Sequence, residues 1–247
     1  MILVYHHVEP RITASATDDP SAGWQFNHSP QGFERQLRAL LRRGWRFVAL
    51  GEIVASIRED GREPARRAAI TFDDGWRDNY HHAFPVLSRL GLTATFFLTS
   101  ANLRAGPGDA RKMTLQQVRE LAASGMTIGG HTRTHPDLTR LGESAARDEI
   151  AGCKADLEEL LARPVELFAY PGGAFNRRVA ELTREAGFAA ACSVLGPARN
   201  DRSSLFWLFR DVISEAMDTP GDRYRLSGLA RRLLEWRVRR RLRERLG

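Results

Sequence analysis

Short apolar runs alternate along this chain with longer stretches in which apolar residues recur every three or four positions. The first pattern predicts strands and the second helices. Strand-like runs cover residues 2–8, 46–50, 68–72, 93–98, 126–130, 166–170, 189–194 and 206–213. Most are apolar throughout and bounded by glycine or proline, as strands buried on both faces should be. The helical stretches have readable ends. Ser29-Pro30 opens one that runs through Leu37, Leu40 and Leu41 to a stop at Gly44. A second spans residues 78–90, with Pro85 as an irregularity and Gly91 as the stop. Thr114 caps a stretch closed by Gly125, residues 143–162 precede Pro164, and Asn176 caps a stretch closed by Gly187. About seven βα units result, which points to an α/β fold with a parallel barrel, although counting alone does not separate a barrel from an open sheet. The long connections are residues 9–28, 100–113 and 195–205, lengths at which lids and substrate-binding segments are common.

Composition narrows the class without changing this outline. A chain of 247 residues with 43% hydrophobic content suffices for one core and one domain. Only Cys153 and Cys192 are present, in a helical and a strand-like segment, so they read as packed thiols rather than a disulfide framework or a CxxC metal site. The N-terminus MILVYHHVEP has no basic stretch before its apolar run and is unlike a signal peptide, and no segment is apolar for long enough to span a bilayer. A cytoplasmic location is the expectation.

The net charge of +7 is uneven. From residue 223 to 247 the chain is dominated by arginine interleaved with leucines, Trp236 and Val238. Residues 1–222 are therefore read as the globular domain and 223–247 as a basic amphipathic C-terminal helix. That helix would either pack on the domain with its arginines solvated, or lie peripherally on the inner membrane face. No reading motif for nucleic acid accompanies the charge, and none is expected as a partner.

Unusual polar residues follow the strands at the end where active sites form in parallel α/β folds. His6-His7 end the first strand, Asp73-Asp74 follow AAITF, His131 follows MTIGG, and Pro171-Gly172-Gly173 follow ELFAY. Adjacent aspartates point to opposite faces in a regular strand, so they share a site only where Gly75 breaks it. A metal between them would separate their roles, one binding the ion and the other taking a proton from water. The simpler reading of a bare DDG is that one aspartate caps the next helix. His131 and His135, four residues apart in His-Thr-Arg-Thr-His, are spaced so that one helical turn or a tight loop could aim both at one ion. With a carboxylate they make a two-histidine, one-carboxylate set that suits a divalent metal, zinc first, with nickel, cobalt or iron able to fill the same ligands. Such an ion lowers the pKa of water to about 7 and polarises a carbonyl, which is what amide hydrolysis requires. Serine-hydrolase elbows, phosphate loops and dinucleotide signatures are absent.

TFDDG at 71–75 followed by HTRTH at 131–135 resembles the polysaccharide deacetylases of carbohydrate esterase family 4. ILVYHHV, NYHHAFPVLSRLGLTATFFL, IGGHTRTHPDL and FAYPGG are similar to that family in order and spacing, over residues 2–213. The resemblance implies a distorted (β/α) barrel, with Asp73 as catalytic base and Asp74, His131 and His135 as metal ligands. It also implies that the backbone at Gly172, after Pro171, helps bind an oxyanion. The leaving amine needs an acid, and the late Leu-x-His motif that supplies it in many members is missing here. The N-terminal Tyr-His resembles the subgroup that deacetylates poly-N-acetylglucosamine exopolysaccharides, which assigns the acid to His6 and a structural role to His7. FAYPGG also departs from the FRPPYG pattern: Ala169 stands where the arginine that holds the base is expected, and Gly172 where the tyrosine is. Arg210 is a candidate replacement for that arginine, with a surface arginine the equal alternative. The function implied is metal-dependent N-deacetylation of an N-acetylated amino sugar in a polysaccharide or glycan precursor. The alternatives are a deacylase or deformylase for a lipid-linked amino sugar, and a non-catalytic glycan-binding relative.

Overall fold

Strands form where the sequence is apolar on two alternating faces. The computed structural model describes residues 1–10, 27–104, 109–195 and 199–213. Its strands, in chain order, are β1 (Ile2–Tyr5), β2 (His7–Val8), β3 (Asn27–His28), β4 (Arg46–Phe47), β5 (Arg67–Phe72), β6 (Thr95–Leu98), β7 (Thr127–Gly130), β8 (Leu167–Ala169), β9 (Ala190–Ser193), β10 (Leu208–Phe209) and β11 (Asp211–Val212). All of their pairings are parallel. The main sheet runs β10-β9-β8-β7-β6-β5-β1-β11, with β4 added beside β5. Its two ends belong to one short segment. Leu208 and Phe209 register with Cys192 and Ser193, and Asp211 and Val212 with Leu3 and Val4. Residues 208–212 thus bridge the edges and nearly close a distorted barrel, whose staves are this segment with β1, β5, β6, β7, β8 and β9.

Seven helices surround or cap the sheet among the described residues: α1 (Pro30–Arg42), α2 (Leu50–Asp60), α3 (Phe84–Leu90), α4 (Ser100–Arg104), α5 (Leu115–Ala123), α6 (Glu143–Leu161) and α7 (Arg177–Glu185). The expected caps are present: Ser29 accepts from the Gly32 N–H, Thr114 and Gln117 form a capping box, and Asn176 accepts from the Val179 N–H. The period-two alternation separates two cores. Leu3, Tyr5, Ile70, Phe72, Phe96, Leu98 and Phe168 face one way and pack under the outer helices. Ile2, Ala69, Phe97, Leu167, Ala169 and Leu208 face the other way and cluster with Leu50, Ile53, Val54 and Ile57 of α2. The interior of the sheet is therefore filled by side chains, one of its fillings being an apolar helix face.

Several elements differ from the sequence reading. The first strand breaks at His6, and its second part pairs with Asn27–His28, inside the segment read as a loop. The strand expected over 46–50 ends at Phe47, because Glu52 turns back to the Ala49 N–H and starts α2, a helix that the strand assignment hid. The helix expected over 78–90 begins as a π-helical turn, Asn79–Ala83, ahead of α3. Pro85 has no N–H to give the preceding turn, and a widened turn is a common response to a lost bond. The connections at 100–113 and 195–205 carry α4 and the 3₁₀ turn Arg202–Ser204. The basic segment 223–247 lies outside the described residues. Among the described residues, no helix is long and apolar enough to cross a membrane.

Gly129 marks the tightest contact of the barrel interior: a Cβ there would stand 2.5 Å from Phe97 Cδ1 and 2.9 Å from the Leu167 carbonyl oxygen. Gly129→Ala is expected to destabilise the fold by about 1–3 kcal/mol through overpacking, read as a lower urea midpoint. An unchanged midpoint would show that Phe97 is free to move aside.

Candidate metal centre and active site

The chain leaves β5 through a turn that aims two adjacent carboxylates differently. The Gly75 N–H donates to the Asp73 carbonyl at 2.9 Å, and Asp74 between them has φ 70°, in the left-handed region. An L residue there is strained by about 1–3 kcal/mol, a cost tolerated mainly where the side chain has a task. Gly75 follows at φ 69°, and a Cβ on it would meet Leu98 Cδ2 at 3.0 Å. The break is thus made by Asp74 and Gly75 together. The loop after it is pinned by a short antiparallel bridge: Arg77 N–H donates to the Arg111 carbonyl at 2.7 Å and Met113 N–H to the Gly75 carbonyl at 2.9 Å.

Asp74 faces both histidines. Its Oδ1 lies 3.3 Å from His131 Nε2 and 3.1 Å from His135 Nε2, and one ligand atom from each of the three residues falls within 4.8 Å of the others. His131 Nδ1 is 2.7 Å from the Ala169 carbonyl oxygen. A carbonyl only accepts, so Nδ1 carries a proton and Nε2 is the atom turned toward the carboxylate. Two imidazole nitrogens and a carboxylate oxygen gathered at one point, with one histidine oriented from behind, fit a divalent metal. Burial favours the neutral form of Asp74, yet hydrogen bonds with His131 and His135 hold it well below the usual carboxylate range. Trp76 Nε1 donates to its other oxygen at 3.1 Å, and Lys112 Nζ to its backbone carbonyl at 3.0 Å while lying 3.1 Å from the centre of the Trp76 ring.

His131 and His135 sit on a tight loop rather than a helical turn, with Thr132 at φ 66° and His135 at φ 68°. The loop is held from outside. Thr132 Oγ1 accepts from the His135 N–H at 2.9 Å, and the first N–H groups of α4 donate to the Thr132 and Arg133 carbonyls at 3.2 and 3.1 Å. From α6, Glu149 accepts from the Thr134 N–H and hydroxyl, and buried Asp156 accepts from Arg133 Nε at 3.0 Å, Ser100 Oγ at 2.8 Å and Arg104 Nε at 2.8 Å. Gly152 explains itself here, since a Cβ in mid-helix would run into the Arg133 guanidinium. Burial raises the Asp156 pKa, but the bonds from Arg133 and Ser100 outweigh it and hold the carboxyl below its ordinary value.

Asp73 points to a different partner. Arg210, between β10 and β11 and 1% exposed, donates Nη1 to Asp73 Oδ1 and Nη2 to Oδ2, both at 2.7 Å, and Nη1 also reaches Thr71 Oγ1 at 3.1 Å. Thr71 in turn donates to the Leu3 carbonyl at 2.8 Å. Burial pushes the Asp73 pKa up, and the charges of Arg210 and His131 bring it below the usual value, so the carboxylate is ionised at neutral pH. His6 occupies the break between β1 and β2, its carbonyl accepting from Asn79 Nδ2 at 2.7 Å. Burial lowers its pKa, opposed by the charges of Asp73 and Asp74. His7 turns away to Asp78 Oδ2 at 3.0 Å and lies against Trp76.

Pro171–Gly173 form a 3₁₀ turn directly after the Ala169 carbonyl that orients His131. Gly172 is exposed at φ 58°, with open space where a Cβ would be, whereas Gly173 is hemmed in by Val194. Tyr170 is buried and donates to the Phe206 carbonyl at 2.8 Å. Cys153 and Cys192 are free and buried, their thiols pushed up to about 12 by burial. The structure thus joins Asp74 to His131 and His135, and Asp73 to Arg210. Trp76, Lys112, Glu149 and Asp156 were not singled out from sequence; only the mid-helix Gly152 carried a local hint of a close contact.

The chain is similar to known proteins in sequence and in fold. The family model described as polysaccharide deacetylase matches residues 60–191. YxkH of Bacillus subtilis (strain 168), which carries the same family name, is 25% identical over 87% of this chain and 72% of its own length. The peptidoglycan-N-acetylmuramic acid deacetylase PdaA of the same organism is 24% identical over 71% of this chain, which spans 62% of that relative. Among solved structures, the Streptococcus pyogenes deacetylase PplD in complex with acetate has the same fold, with a TM-score of 0.77, 24% identity, and coverage of 87% of this chain and 92% of that one.

Asp156→Asn is expected to loosen the histidine loop, weakening divalent-metal affinity about tenfold in equilibrium dialysis and stability by about 1–3 kcal/mol in denaturant unfolding. Because the folded pKa of Asp156 is depressed, its contribution is complete above the unfolded value and lost as pH falls through the folded one. The stability gap between wild type and variant should therefore shrink as pH is taken below about 4.

Proposed function

The chain belongs to the polysaccharide deacetylase family, and from that premise we propose that it hydrolyses the acetamide of an N-acetylated amino sugar within a glycan or glycan precursor, with Asp73 as base and Asp74, His131 and His135 as metal ligands. The observation that carries this reading is the division of labour between adjacent aspartates, Asp74 facing two imidazoles and Asp73 clamped by a guanidinium. A divalent ion, zinc by preference, held by the three ligands would supply a Lewis acid that polarises the amide carbonyl and acidifies water.

The chain's own groups account for the rest. Arg210 keeps Asp73 ionised and fixes its plane through two parallel bonds, leaving lone pairs on both carboxylate oxygens to accept a proton from water. The guanidinium thus does the work expected of the arginine whose position Ala169 occupies. His6, which faces the charges of Asp73, Asp74 and Arg210, is assigned the protonation of the leaving amine, passing on the proton that Asp73 takes from water. The exposed backbone at Gly172 is assigned the developing oxyanion, on a segment whose start already orients His131. With no ring at Gly172 and nothing within 4 Å of where its Cβ would stand, that side leaves space among the described residues, which supports a bulky or polymeric substrate. A lipid-linked amino sugar as substrate, membrane contact through 223–247 and a cytoplasmic location rest on sequence character alone, and no structural observation here favours them.

Three outcomes test the assignment. Chelation should abolish acetate release from N-acetylated oligosaccharides, and stoichiometric zinc should restore it; release that persists in metal-free protein would end the metal reading. Asp73→Asn should lower kcat by about 10²–10⁴ with metal affinity retained, while Asp74→Ala should lose the metal itself. Arg210→Lys, which keeps the charge but not the paired bonds, should cut kcat/KM about a hundredfold; wild-type kinetics in that variant would free Asp73 from its proposed dependence.

A further inference from the structure

A cavity of about 370 Å³ opens beside this site, walled by Leu103, Met113 and Leu115 and carrying the charges of Arg77, Arg104, Lys112 and Asp109. It adjoins the metal ligands through Lys112, whose Nζ donates to the Asp74 carbonyl, and Leu103, Lys112 and Met113 also line the small gap against Asp74 and Gly75. Most of its charges are already matched. Arg104 pairs with Asp156 and Glu159, Asp109 accepts from Arg111 at 3.0–3.3 Å, and Lys112 lies on the Trp76 ring.

Arg77 is the exception. It is half-buried, its Nε is shut away from solvent, and among the described residues its guanidinium has neither a hydrogen bond nor an ion pair. Its backbone is fixed by the bridge to Arg111, so the side chain leaves a rigid position three residues after Asp74. A guanidinium drawn partly out of water and left unmatched is costly unless an anion meets it, and its planar fork suits a carboxylate or a phosphate. Apolar walls with one unmatched cation are the makings of a small-ligand site.

We propose that this cavity is an anion subsite, in which Arg77 receives a carboxylate or phosphate carried by the glycan next to the acetamide that is cleaved. The proposal rests on the deacetylase reading of the adjacent centre, and it makes the substrate an acidic glycan rather than a neutral one. A uronate neighbour and a sugar phosphate present the same chemistry to Arg77.

The test compares dissociation constants, at one ionic strength, for three probes: a neutral N-acetylated disaccharide, one containing a uronate, and an N-acetylamino-sugar 1-phosphate. Wild type should bind one of the anionic probes about tenfold more tightly than the neutral one, and the probe that gains names the anion. The difference should collapse in Arg77→Gln and in Arg77→Met, the latter keeping an apolar stem in the wall. Equal affinity for all three probes in wild type, or a preference that survives both variants, would overturn the subsite. Acetate release from all three probes is followed in parallel. Release without an anion preference removes the subsite alone; an Arg77-dependent preference with no release from any probe leaves the subsite standing and removes the deacetylase reading.

Discussion

The bidentate pair between Arg210 and Asp73 is the contact on which both barrel and site depend. It is almost wholly withdrawn from water, and at such a place a single charge without its partner is strongly destabilising. The pair also joins two distant parts of the chain, the end of β5 and the segment that spans β9 and β1. The same bonds that help seal the sheet therefore hold a carboxylate charged and oriented beside His131. Replacing both partners by apolar groups could suit the fold while ending the chemistry, which is why such a pair reads as functional rather than as a device for stability.

Around that pair the site is built from strained turns held by rigid neighbours. Asp74, Thr132 and His135 all take left-handed backbone conformations. None of them would persist without outside support, which for Thr132 and His135 comes from α4 and α6 through Ser100, Glu149 and Asp156 and for Asp74 from the bridge to Arg111 and Met113 and from Lys112. Even the glycine in mid-helix at 152 serves this end by making room for Arg133. Helix α6 thus acts as a splint for the loop that carries two of the three ligand candidates.

Much of this was legible because strand ends and ligand spacing are local properties. TFDDG and HTRTH each announce a break and a pair of donors within a few residues, and the caps at Ser29, Thr114 and Asn176 sit where a linear reading puts them. Arg210 was reachable only indirectly, through the absence of an arginine at Ala169. Helix α2 was missed because its start is tied by Glu52 to the backbone of Ala49, next to a strand signal that was carried too far. Lys112, Asp156 and Arg77 owe their meaning to partners, or to the lack of one, across space, and no periodicity encodes that.

The bridging segment at 208–212 has one more consequence. It is the last of the staves in chain order, so during synthesis the candidate ligands Asp74, His131 and His135 and the strand bearing Asp73 all emerge before the guanidinium that pairs with it. A growing chain can therefore bring Asp74, His131 and His135 together while Asp73 still lacks its counterion. The buried charge is matched in the same step that closes the barrel, so an incomplete barrel is also one with an unpaired aspartate.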